Sequence, residues 1–248
     1  MRIFLTTLLC FFALNEASAE TQELRYTLSA NGQEVGHRTL KIRFIQGEYG
    51  EKRFIESWTE FQLPIARRNF HYKQRLSGLT KTRPMGFSAS MSEDGHLREV
   101  QVVQQPERWM VTHAELGRSW ILPVQEASFD ATSLTLVDPG SKGFLDDRMS
   151  LRVLSAETGQ VVEGRLVDQG TRSLEIEGQS VDAEHYQWTL DSGSVDLAYS
   201  EDGYLLSYTV AIAGQRLTAQ LDRLPEARSF EEDMPMPLFS EEIQEEAL

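Results

Sequence analysis

The sequence of 248 residues has no apolar run as long as a transmembrane helix. Its longest run, residues 3–14, has twelve residues and is broken only by Thr6 and Thr7, whereas a membrane span needs about 18–20. The run follows Arg2 and leads to an Ala-Ser-Ala cleavage signal at 17–19. This order is typical of a secretory signal peptide, so we interpret residues 1–19 as one. We therefore expect a soluble mature protein that begins at Glu20 and is periplasmic or secreted.

Cysteine is almost absent, because Cys10 is the only one and lies inside the apolar run. An alternative interpretation is a lipoprotein signal at Cys10, but the bulky Leu9 before it and its place within the run disfavour lipidation. After cleavage the chain has no thiol, which excludes disulfides, thiolate catalysis and cysteine-ligated zinc. A secreted protein of this size without disulfides fits a bacterial periplasm.

Motifs that bind metals, nucleotides or an acyl group are also missing. The five histidines lack the spacing of two or four residues that ordinary metal clusters show. Glycine-rich phosphate loops are absent, and no Gly-x-Ser-x-Gly sequence precedes a helical pattern. We therefore expect no metal and no cofactor, and we assign no catalytic residue. The histidines concerned are His37, His71, His96, His113 and His185.

Basic residues are outnumbered, with 24 Lys and Arg against 38 Asp and Glu, for a net charge of −14. Half of this excess lies in residues 225–248, where eight carboxylates accompany one arginine. That composition, with three prolines, predicts a flexible acidic tail. So acidic a protein is a poor ligand for nucleic acid or an anionic membrane surface.

Helical periodicity is scarce, and the best short candidate is residues 130–137. Apolar residues alternate instead with polar ones, as in Leu40, Ile42 and Phe44, and turn signals such as Asp94-Gly95 separate the runs. Alternation with short turns predicts antiparallel hairpins. The fold class is therefore all-β, with roughly a dozen strands in a curved antiparallel sheet that forms an open barrel or a sandwich.

The sequence between the signal peptide and the tail forms one β-rich unit, residues 20–224. A weak internal repeat, Ser92–Leu97 and again Ser200–Leu205, is consistent with two similar halves at about 20–125 and 126–224. The alternative is that Asp-Gly is simply common hairpin chemistry. Both interpretations stay open from the sequence alone.

Several short motifs are shared with a known group of proteins. They are Tyr26-Thr27-Leu28 with Asn31-Gly32 and Val35-Gly36, then Pro84, Phe129–Leu134, Val181–Tyr186 and Tyr199–Leu205. In this order they resemble an uncharacterised family of secreted, β-rich bacterial proteins. The resemblance covers about residues 24–224 and implies a curved antiparallel sheet of the open-barrel type. The family has no agreed activity, so the resemblance implies no catalytic residue.

Aromatic residues on alternate strand positions suggest a concave face that binds a ligand. A curled sheet of many strands encloses more space than its own side chains fill, so we expect some of these residues to be accessible. His185 joins the set because Glu184 beside it shares a face with two aromatic residues and needs a partner such as Arg165 or Arg172. The candidate ligand-binding residues are Tyr72, Trp109, Trp120, His185, Tyr186 and Trp188.

Two functions from different classes follow from these patterns. The first is a periplasmic, non-enzymatic binding or carrier protein, or an envelope-associated accessory protein. It would hold an apolar or amphiphilic small molecule or a segment of an envelope protein. The second is a hydrolase or lyase that acts on cell-envelope material with carboxylates and a histidine. The oligomeric state stays open.

Overall fold

A computed structural model describes residues 20–226, except 48–49, 66–67, 82–83, 106–107, 126–127, 147 and 213. The predicted signal peptide lies outside the described residues, as does nearly all of the acidic tail. Among the described residues no helix has the length and apolar character needed to cross a membrane.

The prediction of an all-β fold is confirmed, with fifteen strands rather than a dozen. The strands are β1 (Glu20–Ala30), β2 (Gln33–Gly47), β3 (Gly50–Ile65), β4 (Arg68–Thr80), β5 (Pro84–Glu93), β6 (His96–Gln104), β7 (Trp109–Glu115), β8 (Arg118–Val124), β9 (Ala131–Thr132), β10 (Ser150–Leu154), β11 (Val161–Ile176), β12 (Gln179–Leu190), β13 (Gly193–Tyr199), β14 (Leu205–Ile212) and β15 (Gln215–Leu221).

Tight turns produce the antiparallel pairing of consecutive strands. Asn31 and Gly32 both have positive φ, 52° and 76°, and join β1 to β2. Asp94 and Gly95 do the same between β5 and β6, with φ of 49° and 86°. Two central residues with positive φ match the right-handed twist of the flanking strands, which is why Asn-Gly and Asp-Gly favour hairpins.

All fifteen strands belong to one sheet that curls without closing. Its order runs from β8 back to β1, then from β15 back to β9. Strand β1 pairs with β15, so the first and last strands meet in the middle of the sheet. The sheet ends at β8 and at the short β9, which runs parallel to β10. Both predicted halves, 20–125 and 126–224, contribute strands to this single sheet.

One face of the sheet is buried and forms the core, and we call it the inner face. On β3, for example, Ile55, Phe61 and Leu63 are at most 2% exposed. Burial of each such side chain contributes about 1.5–3 kcal/mol relative to exposure. Alternate side chains along each strand therefore point to the inside and to the outside of the barrel.

The interior is filled by the chain itself, through the segment between β9 and β10. This segment contains two short 3₁₀ helices, Thr135–Val137 and Pro139–Leu145, and the first overlaps the predicted helical candidate. Its Leu136 carbonyl accepts a hydrogen bond of 2.9 Å from the Tyr199 hydroxyl on β13. Gly78 on β4 is so close to Leu134 that a Cβ there would come within 2.7 Å of it. The segment thus bridges strands far apart in the sheet.

A buried ion pair fixes this segment to β3. Arg53 Nε donates to Asp138 Oδ1 at 2.7 Å, and the two side chains are 7% and 0% exposed. A further hydrogen bond of 2.7 Å joins Arg53 to the carbonyl of Lys81. A Cβ on Gly140 would meet the guanidinium at 2.5 Å, so only glycine fits beside it. Asp138 also accepts hydrogen bonds from Gly140 N and Ser141 Oγ.

Breaking this pair from one side should destabilise the fold strongly. Asp138→Ala removes the carboxylate in contact with the buried guanidinium and leaves only Glu51 Oε1 at 3.7 Å, and we expect a loss of about 3 kcal/mol in the free energy of unfolding. Denaturant unfolding monitored by circular dichroism measures it.

The matched control is Glu60→Ala, because Glu60 and Lys73 form an exposed ion pair at 2.8 Å. Removal of that pair should cost less than about 1 kcal/mol. Equal effects of the two substitutions would contradict the role given to Arg53 and Asp138.

Candidate functional site

Five of the six predicted binding residues lie on the inner face, but they do not form one site. Tyr72 is on β4, Trp109 and Trp120 are on β7 and β8, and Tyr186 and Trp188 are on β12. Four of them are buried, at 2–7% exposure, and Trp120 is 41% exposed. The expectation that some of these residues are accessible holds for Trp120, whereas Trp109 and Trp188 are buried.

The buried aromatic residues pack against the chain's own segments. Trp109 meets Phe129 edge to face, with ring centroids 5.4 Å apart. Trp188 Nε1 donates to the Leu151 carbonyl at 3.1 Å. The prediction of accessibility took the interior of the barrel as open, whereas residues that follow β8 and β10 fill it.

His185 lies apart from the other candidates. It is opposite Ala198 on β13, and its neighbours Glu184 and Tyr186 pair with the buried residues Tyr199 and Leu197. Glu184 accepts a hydrogen bond of 3.1 Å from the Tyr186 hydroxyl on its own strand. Loss of hydration lowers the pKa of His185.

Trp120 lies at the open edge of the barrel beside a buried histidine. Its ring stacks on His113 of β7 with centroids 5.1 Å apart and planes within 3°. His113 is 5% exposed, and desolvation lowers its pKa. The loop between β10 and β11 covers this ring closely, because a Cβ on Gly159 would come within 2.3 Å of His113 Nε2.

The same loop places a carboxyl group beside Tyr72. The Tyr72 hydroxyl is 3.2 Å from Glu157 Oε1, and the Tyr72 ring stacks on Phe61 at 4.8 Å. Protein atoms desolvate the Glu157 carboxyl group and raise its pKa, although the residue as a whole is exposed. The negative charge of Glu93 raises this pKa further, whereas the hydrogen bond from Tyr72 lowers it.

Strand β8 ends the sheet and exposes large apolar side chains on both faces. Trp120 and Leu122 are each 41% exposed on the inner face, and Ile121 is 59% exposed on the outer face. Glu115 and Arg118 flank the two-residue turn and form a hydrogen-bonded pair. Every second residue from Arg118 onward therefore directs its backbone N–H and C=O groups toward β7. The backbone groups of Ser119 and Ile121 therefore face the edge of the sheet, where no described strand pairs with β8. An edge of this kind can accept another strand.

The outer face carries two shallow grooves of about 240 and 470 Å³. They share Arg75 and Ser90, and their other lining residues are mostly polar. The six predicted residues line neither groove. The polar lining includes Ser77, Ser88, Glu99, Gln101 and Thr112.

A family model described as a domain of unknown function, DUF6134, matches residues 26–222. This chain belongs to the DUF6134 family. A structural neighbour of the DUF6134 chain is a β-barrel-like protein with a domain of unknown function, DUF1849, from Brucella abortus. The TM-score is 0.55 at 10% sequence identity, over 82% of this chain and 95% of that one, which supports the fold alone. No curated protein matches this DUF6134 chain.

Sequence reasoning missed two buried arginines of the DUF6134 interior, Arg38 and Arg53, and the carboxyl group of Glu157 beside Tyr72. Arg38 and Arg53 have the same strand phase as the apolar residues after them, Leu40 and Ile55. Extending the alternation backwards along β2 and β3 would have placed both arginines inside. Glu157 lies in a loop, and no sequence period points to its position.

The shifted pKa of Glu157 predicts a pH-dependent effect on stability. A carboxyl group with a raised pKa in the folded state stabilises the fold most below its ordinary pKa of 4.5. Stability then falls as pH rises through the folded-state pKa. Glu157→Gln keeps the acceptor for Tyr72 and removes the charge. We expect its melting temperature to exceed that of wild type at neutral pH and to equal it in acid.

Differential scanning calorimetry between about pH 4 and pH 7 spans the ordinary carboxyl pKa and checks this. Glu99→Gln, which removes an exposed carboxylate from the outer face, controls for net charge. A wild type more stable than Glu157→Gln at neutral pH would contradict the assignment.

Proposed function

We propose that this DUF6134 protein is a non-enzymatic binding module of the cell envelope. It would hold an extended apolar segment of a partner protein by strand addition at β8. The observation that carries the proposal is the free edge of β8, with Trp120, Ile121 and Leu122 exposed. The location in the periplasm or outside the cell rests on the interpretation of residues 1–19 as a signal peptide.

Backbone hydrogen bonds would supply the affinity in this mode, and alternate side chains the specificity. The edge offers the N–H groups of Ser119 and Ile121 and the carbonyls of Ser119, Ile121 and Pro123. Pro123 has no N–H, so it limits the length of strand that can pair. A partner with small or apolar residues on alternate positions would cover Trp120 and Leu122 on one side and Ile121 on the other.

Trp109 and Trp188 are packed against the chain's own segments, so the exposed apolar surface at β8 favours an extended protein segment as the ligand there. The pairing of β8 with β7 already fixes the backbone at the edge, so a partner strand would meet an ordered template. An ordered template lowers the entropic cost of binding.

A test is selection of seven- to nine-residue peptides from a displayed library on the wild-type protein. Ile121→Pro removes one of the two free donors, and we expect selected peptides to bind this variant at least about tenfold more weakly, a loss of about 1.4 kcal/mol. Leu116→Ser is the matched control, because Leu116 is 78% exposed in the turn before β8. That variant should bind as wild type does.

Hydrogen exchange adds a readout that locates the peptide. A bound peptide should protect the amides of Ser119 and Ile121, which are otherwise free. Equal affinity of the selected peptides for wild type and Ile121→Pro, with no protection on β8, would overturn the proposal.

One observation favours a second function, a hydrolase or lyase on envelope material. A carboxyl group with a raised pKa, such as that of Glu157, has the property of a general acid. In this case Glu157→Gln should abolish turnover of an envelope substrate, whereas Ile121→Pro should leave turnover intact. The opposite pattern would reject this second function.

A further inference from the structure

Arg38 is a buried cation that has no carboxylate partner among the described residues. Its side chain lies on the inner face of β2, and the residue is 8% exposed. Arg38 Nε donates to Ser57 Oγ at 2.9 Å, and the guanidinium lies over the Tyr208 ring, 5.6 Å from the centroid. Within the described part of the chain, no carboxylate forms an ion pair with Arg38.

The surroundings of Arg38 are uncharged on every neighbouring strand. Tyr26 of β1 and Thr59 of β3 lie opposite Arg38 in the two flanking registers. Leu221 of β15 pairs in turn with Tyr26. The hydroxyl of Tyr26 is already engaged, since it donates to the Leu205 carbonyl at 2.8 Å. These residues offer the guanidinium no negative charge.

A guanidinium keeps its charge at any physiological pH, so only an opposite charge can offset the charge of Arg38. Burial of an unpaired charge is costly, and proteins normally offset it with an opposite charge. Arg53, on the neighbouring strand, follows this rule through Asp138. Arg38 does not, although both side chains lie on the inner face.

The terminal nitrogens of Arg38 retain access to solvent. The described residues contain three fully buried side-chain polar atoms without a hydrogen-bond partner, and none of them belongs to Arg38. Tyr208, whose ring lies beneath the guanidinium, is half-buried. The fork of the guanidinium matches the geometry of a carboxylate or a phosphate.

We propose that Arg38 and Tyr208 form an oxyanion-binding site inside the barrel that takes a carboxylate or phosphate group. The guanidinium would bind two oxygens of the anion through its two terminal nitrogens, and the Tyr208 hydroxyl would supply a further donor. The site is separate from the free edge of β8 and does not depend on strand addition there.

Isothermal titration calorimetry on the mature full-length protein tests this with four probes: inorganic phosphate, acetate, dodecyl phosphate and dodecanoate, the last two below their micelle concentrations. We expect a phosphate or a carboxylate to bind, and Arg38→Met to weaken that binding at least about tenfold, because a charge-assisted bidentate contact is lost. Tighter binding of the two alkyl probes would identify an amphiphile head group. Equal binding of the small ions would identify a free anion.

Arg43→Met is the matched control, because Arg43 lies on the same strand but points outward, half-exposed and 3.5 Å from Glu56. It should bind as wild type does. Thermal unfolding separates binding from structure, since replacement of an unpaired buried charge by methionine should leave the melting temperature unchanged or raised. Arg38→Lys, which keeps the charge but loses the planar fork, should weaken binding and provides a second variant if Arg38→Met does not fold.

Two results would overturn the proposal. One is wild-type protein that binds none of the four probes. The other is Arg38→Met, or Arg38→Lys in its place, that binds them as tightly as wild type.

Discussion

A guanidinium and a carboxylate that are both withdrawn from water join the third strand to the segment between β9 and β10. Arg53 and Asp138 lie 2.7 Å apart and are almost fully buried. Because each charge is costly without the other, the pair holds the 3₁₀ segment at one place inside the barrel. Two distant strands contact that segment, because the Tyr199 hydroxyl of β13 donates to one of its carbonyls and Gly78 of β4 packs against one of its leucines. The 3₁₀ segment thus fills the core of the open sheet that the fifteen described strands form.

The filling of the interior determines where the protein can bind other molecules. Trp109 and Trp188 belong to the core, and only the incomplete closure of the sheet exposes Trp120. The strand edge at β8 is exposed for the same reason, because β9 is too short to pair along it and pairs with β10 instead. The proposed strand addition and the open architecture thus have one structural origin. The proposed oxyanion site at Arg38 occupies a polar part of the interior between β2 and β14.

Local patterns in the sequence predicted the strands well, because burial of one face imposes a period of two on each of them. Turn residues such as Asn31-Gly32 and Asp94-Gly95 predicted the hairpins for the same local reason. The strand number was underestimated, since polar residues on long strands such as β11 mask the alternation.

The candidate site depends on contacts far apart in the chain, and local patterns do not contain them. Trp109 and Trp120 have similar strand contexts, yet one is buried and the other exposed because the sheet ends at β8. Arg53 and Asp138 are separated by 85 residues, and no spacing rule connects them. Arg38 was predictable in part, since its inner position follows from the phase of Leu40 and Ile42. Its lack of an acidic partner was visible only in three dimensions.

The central claim is that the described residues fill the barrel and that no described strand pairs with the outer edge of β8. Residue-resolved hydrogen exchange of the unliganded protein tests it most directly. The amides of Val137 and Asp138, which donate to the Leu134 and Thr135 carbonyls, should exchange among the slowest in the molecule. The amides of Ser119 and Ile121 should exchange among the fastest of those in strands. Rapid exchange of Val137 and Asp138 under conditions where the strands stay protected would show an interior open to solvent, and would contradict the account.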